Sequence, residues 1–196
     1  MPSWFVRLTF AAWLGVSTIG AGTLMVGHWY TLPKPSADDA QLTSALAALR
    51  PVGRDRDWFA VHVLYSSCPC SVRVLDHLFS SERVADVEEI ILLVEHDAEL
   101  EARAKRAGFA VVVVTPEALA ADYRIEAAPM MVVLDPSDRI RYAGGYTERK
   151  QGADIRDTAT LRTLRDEAAH TVELPLFGCA VSFELQSILD PLKLKY

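Results

Sequence analysis

An open α/β sheet with helices on both faces, preceded by one membrane-spanning helix, is the fold class this sequence predicts. Three observations predict it. From Trp58 onward, apolar runs of strand length alternate with capped amphipathic segments, the order of a layered α/β domain. Leu8 to Gly27 carries no charge and is long enough to cross a bilayer as a helix. Cys68-Pro69-Cys70 stands where the first apolar run gives way to a helical pattern, a place suited to thiol chemistry.

The N-terminal segment sets the compartment. Arg7 and the α-amine precede the apolar run, which orients the N-terminus toward the cytoplasm and the rest outside. Trp4 flanks one end and Trp29 and Tyr30 the other, as interfacial aromatics do. A cleaved signal peptide is the alternative, but the run is long for one and lacks a clear small-x-small cleavage site. Residues 1–30 therefore read as a transmembrane anchor that meets the lipid bilayer through residues 8–27. Thr31 to Ser36 holds two prolines and reads as a stiff polar tether. Residues 31–54 form a linker with a short helix over Ala37 to Leu49. Arg7 and Lys34 are the only charges before Pro35, so the 26 acids and the other 18 bases all lie beyond it, a formal −8. That balance argues against a nucleic-acid partner.

The elements follow in order. Trp58 to Tyr65 is a near-continuous apolar run, as in a strand buried on both faces. After Cys70, Val74, Leu75, Leu78 and Phe79 recur on one helical face. Glu89 to Glu95 encloses a second strand. Asp97 caps the next helix, with Glu99 and Glu101 early, Lys105 and Arg106 late and Gly108 past its end. Ala110 to Val114 is a third strand. Thr115-Pro116-Glu117 opens a short helix by cap, proline and acid. Met130 to Leu134 is a fourth strand, Asp135 to Asp138 a turn, and Arg139 to Ala143 an antiparallel return. Asp157 caps a last helix ending near His170. Beyond it, residues 171–196 form an extension carrying Cys179 and a helical stretch, Phe183 to Leu189, ended by Pro191.

The cysteine pair, the segment Tyr123 to Pro129, the strand after it, the Asp135-x-x-Asp138 turn and the Gly144-Gly145 strand end together resemble the thioredoxin superfamily. The nearest variety is the membrane-anchored, extracytoplasmic TlpA type, some members of which serve cytochrome c maturation. The likeness covers roughly residues 55–170 and implies a central mixed sheet. It implies a thiol-disulfide oxidoreductase without cofactor, acting on an extracytoplasmic protein with cysteines. A membrane electron donor or acceptor would serve it, and its soluble domain would face the periplasm or cell exterior of a bacterial inner membrane. By position, Pro129 matches the family's cis proline, and Ala128, Pro129 and Pro69 match its substrate groove. Cys68 would attack, and Cys70 or Cys179 would resolve.

The family motif is Cys-x-x-Cys, whereas this chain has Cys-x-Cys. Aligning Pro69-Cys70 with the family's Pro-Cys puts Ser67 at the nucleophile position. Aligning Cys68 with the first cysteine shortens the loop by one residue. Cys68 is the preferred attacker, because an N-cap position beside Pro69 places its sulfur near unpaired amides that depress a thiol pKa. Side chains two apart on a helix do not face each other, so a Cys68–Cys70 disulfide demands a distorted backbone. Cys179 supplies an unstrained alternative if residues 171–182 fold back over the start of the helix after Cys70. A second reading takes Cys68, Cys70 and Cys179 as soft thiolate ligands of a cuprous ion in a copper chaperone. Other residues read as scaffold: His62 as a core histidine, His77 and His96 as surface or packing groups, Glu88, Glu89 and Glu95 as solvated strand ends, and Met130 and Met131 as core.

Overall fold

The computed structural model describes residues 3–53, 57–150, 152–167 and 172–190. The chain divides into two compact units, residues 1–31 and 32–196. The first contains α1 (Ser3–Trp29), in which Ser3–Gly22 is long and apolar enough to span a membrane. The expected boundary at 54/55, the boundary at 170/171, the end of the last long helix near His170, and Pro191 all lie outside the described residues.

The second unit is a mixed five-stranded sheet between helical layers. Its strands are β1 (Trp58–Tyr65), β2 (Val87–Val94), β3 (Ala110–Val114), β5 (Met130–Leu134) and β6 (Ile140–Gly144), ordered β3-β2-β1-β5-β6. β1, β2 and β3 run parallel, while β5 is antiparallel to both β1 and β6. β1 is buried at both faces because its alternate side chains feed two separate cores. Phe59, Val61 and Val63 face one, together with α2 (Ala40–Ala47), α5 (Pro116–Tyr123) and α7 (Phe183–Leu189). Ala60 and Leu64 face the other, together with α3 (Pro69–Ser80), α4 (Ala98–Arg106) and α6 (Asp157–Glu167). Helices therefore cover both faces, and the architecture is thioredoxin-like.

Local chemistry sets the helix starts. The Asp39 carboxylate accepts from the Gln41 and Leu42 amides, Asp97 from Glu99 and Leu100, and Thr115 Oγ1 from Ala118. α3 buries Val74, Leu75 and Leu78, each contributing about 1.5–3 kcal/mol over leaving it in water. Gly108, past the end of α4, has φ +91°, a conformation that costs glycine nothing.

A second sheet has only two short strands, β4 (Ala127–Ala128) and β7 (Cys179–Ala180), paired antiparallel. Their partnership draws the C-terminal segment onto the domain. Leu176, Ala180, Val181 and Leu185 are buried in the core of α2, α5 and α7. The Gly145 amide donates to Leu174 O at 3.1 Å, and the Leu32 amide to Leu176 O at 2.9 Å. A Cβ on Gly145 would stand 2.1 Å from Pro175 O, so the Gly144-Gly145 pair is what lets this segment pass.

Candidate thiol site

The loop between β1 and α3 is held by its own backbone. The Ser66 amide donates to Val94 O, the Cys68 amide to Tyr65 O, and the Tyr65 amide to Ser71 Oγ. Cys68 is the N-cap of α3 with extended backbone (φ −100°, ψ 116°), and Pro69 takes the first helical position. Its side chain makes no cap hydrogen bond. The sulfur turns inward instead, 3.9 Å from Ala128 O and 2.7 Å from Cys179 Sγ. Those two cysteines lie 111 residues apart in sequence.

β7 makes this contact. Cys179 pairs directly with Ala128, and the Val181 amide donates to Glu126 O at 2.7 Å. Ser182 caps α7 through the Leu185 amide and reaches Glu126 with its hydroxyl. Cys179 thus sits in a strand rather than at the helix start that its sequence context suggests. Gly178 lies flat against the Ala128–Pro129 peptide, which is cis. Ala128 and Pro129 are buried, and the edge expected to receive a partner's strand is filled by the chain's own β7. Pro69 and Ser67 are exposed.

All three cysteines are present as thiols. Cys68 is fully buried, Cys179 nearly so and Cys70 half-buried. The expected acidic Cys68 is not what the surroundings produce. The hydrogen bond to Cys179 raises its pKa above the ordinary thiol value. The hydrogen bond with Cys70 opposes this, burial and the charge of Cys179 add to it, and the Ser71 amide is the weakest influence. The helix end is overruled because the Ser71 amide is outweighed by the bond to Cys179 together with burial.

Glu95, expected as a solvated strand end, instead meets Ser67 and Tyr65 at the rim of the site. Glu95 closes β2 with φ 63°, and its carboxylate accepts from Ser67 Oγ at 3.2 Å and from the Tyr65 hydroxyl at 3.4 Å. Burial, then Glu95, and last Cys179 hold the Tyr65 phenol above its usual pKa.

Elsewhere, Glu89 is not a solvated strand end. Its side chain is 6% exposed, bound to His62 Nε2 at 2.8 Å and to Arg83. Arg83 also meets the fully buried Asp157 at 2.8 Å, and His77 meets the same carboxylate at 2.9 Å. His62 is a buried histidine whose other ring nitrogen bonds Tyr146 at 2.8 Å. Burial pushes both carboxyls up, but His62 and then Arg83 hold Glu89 below the usual carboxylate range, and Arg83 and then His62 do the same for Asp157.

Two thiols in contact and largely shielded from water have the chemistry to interconvert between a dithiol and a disulfide, a two-electron change. Among the described residues no group of three or more His, Cys, Asp or Glu side chains is placed to hold a metal ion.

No family model matches this chain, and no curated protein does. Solved structures do. A hypothetical protein from Sinorhizobium meliloti is 21% identical, with TM-score 0.50, over 65% of this chain and 80% of the other. The N-terminal domain of PilB from Neisseria gonorrhoeae is 14% identical, with TM-score 0.41, over 66% and 95%. The thioredoxin domain of a thiol-disulfide oxidoreductase from Bacteroides vulgatus is 11% identical, with TM-score 0.33, over 44% and 69%. Strand order, the cis proline opening β5 and the cysteines at the start of α3 give this chain a thioredoxin-like fold.

Proposed function

We propose that the chain is a membrane-anchored thiol-disulfide oxidoreductase of the TlpA type, acting on extracytoplasmic proteins in disulfide exchange or cytochrome c maturation. The observation that carries this reading is the 2.7 Å contact between Cys68 Sγ and Cys179 Sγ. The redox couple is that pair. In the reduced protein the two thiols give two electrons and two protons to a partner's disulfide, which becomes two thiols while Cys68 and Cys179 join. The reverse reaction oxidises a partner dithiol. A second membrane protein resets the couple, and its potential decides the direction. α1 holds the domain at the outer face of a bacterial inner membrane, a compartment in which disulfides persist.

The test is disulfide mapping of the full-length protein in its native membrane, with thiols blocked before lysis. The expected product is a cross-linked pair of peptides containing Cys68 and Cys179. Purified full-length protein in detergent should also exchange with a disulfide-bonded peptide in one direction. Absence of both the cross-link and any exchange would end the reading.

A further inference from the structure

The burial of the three sulfurs is graded, and the gradient says where a partner enters. Cys68 is 0% exposed and Cys179 9%, while Cys70 on the first turn of α3 is half-buried. Cys68 meets both of the others: its sulfur is 2.7 Å from Cys179 Sγ, and Cys70, two residues on, is hydrogen-bonded to it.

What covers Cys68 is built into the fold. β7 is paired to β4, Gly178 is pressed on the Ala128–Pro129 peptide, and Leu176, Ala180 and Val181 on either side are core residues. A segment so anchored occupies the strand edge permanently, so a partner chain cannot lie there without unfolding the C-terminal extension. The open flank is the other one. It holds exposed Ser67 and Pro69, half-buried Cys70, and the Tyr65–Glu95 rim.

Resting on the oxidoreductase reading, we propose that Cys70 is the thiol that meets the partner, and that the disulfide then moves inward through Cys68 to Cys179. In the first step the Cys70 thiolate attacks one sulfur of the partner's disulfide. A Cys70–partner bond forms and the other partner sulfur leaves as a thiolate. In the second, the Cys68 thiolate attacks Cys70 Sγ, forming Cys68–Cys70 and releasing the partner's second thiolate. In the third, the Cys179 thiolate attacks Cys68 Sγ, forming Cys68–Cys179 and returning Cys70 as a thiolate. Net, the partner gains two electrons, Cys68 and Cys179 lose two, and their protons end on the partner's thiols. Cys68–Cys70 is a poor resting place because its side chains are two residues apart at a helix start, which favours the third step. The role expected of Cys68 as attacker passes to Cys70, and Cys68 becomes the relay.

The experiment uses full-length reduced protein in detergent and a disulfide-bonded peptide as probe. Because labelling a fully buried thiol requires local opening, iodoacetamide should modify Cys70 about tenfold or more faster than Cys68 or Cys179. Cys70→Ser should lose peptide reduction by about a hundredfold, yet still form Cys68–Cys179 with diamide, a small oxidant that bypasses docking. Cys68→Ser should accumulate the Cys70–peptide mixed disulfide, and Cys179→Ser should stop at the Cys68–Cys70 bond. Equal labelling of the three thiols would overturn the proposal. So would wild-type peptide reduction by Cys70→Ser, or a mixed disulfide mapped to Cys68. If diamide gives no Cys68–Cys179 bond even in the wild type, the redox couple itself is wrong, which is a separate failure.

Discussion

Replacing Gly178 by alanine tests the placement of β7 directly. The added methyl would stand 2.0 Å from Ala128 O, 2.6 Å from Pro129 Cδ and 2.7 Å from the Ala128 carbonyl carbon. Ordinary contact begins near 3.4 Å, so the segment must retreat by about 1 Å or more. The obstacle is backbone held in a two-strand ladder, not the movable end of a side chain, so Gly178 must do the moving. Overpacking of this kind costs about 1–3 kcal/mol. Stretching the Val181–Glu126 bond (2.7 Å) adds about 1 kcal/mol. Together these predict a loss of about 2–4 kcal/mol, which lowers the Tm by about 5–12 °C in a domain of this size. The same retreat parts Cys179 from Cys68, so oxidation of the pair should slow and Cys68 should become open to alkylation. Denaturant titration gives the stability, and mass mapping of iodoacetamide labelling gives the accessibility. Leu75→Ala is the control: Leu75 is 1% exposed in the opposite core and should cost about 2–5 kcal/mol without exposing Cys68. If Gly178→Ala matches the wild type in both stability and Cys68 protection, β7 does not lie where this geometry requires.

The remaining predictions concern charge and topology. The folded-state pKa values of Glu89 and Asp157 are depressed, so their contribution is fully present above the unfolded carboxylate range and is lost as pH falls through the folded values. The denaturant midpoint should therefore drop steeply in the acid range, and Glu89→Gln should flatten that slope; an unchanged slope would remove the network from the account. Cys68 is shifted the other way, so its alkylation rate against pH should rise only above the ordinary thiol range, and Cys179→Ser should bring the inflection down. An inflection on the acid side of that range in the wild type would restore the helix-end argument. With Arg7 before the apolar run, a reporter active only in the cytoplasm and fused after Tyr196 should be silent; a bright one would overturn the compartment.

What the sequence by itself determined is local. The strands over Trp58–Tyr65 and Met130–Leu134, the caps Asp97 and Thr115, the proline opening α3 and the helix Phe183–Leu189 all depend on contacts within a few residues, which periodicity and capping chemistry record. The likeness to thioredoxins rested on motifs of the same kind. The tertiary structure decided what depends on neighbours distant in the chain. β4 and β7 have two residues each, too few to show a period, and they meet only because Gly144, Gly145 and Gly178 leave room for the returning segment. Glu89 reads as a solvated strand end until Arg83 and His62 close over it. Cys68 reads as an activated thiol at a helix start until its sulfur is seen to face Cys179. A sulfur's charge is set by the few ångströms around it, and at Cys68 that space is filled from 111 residues away.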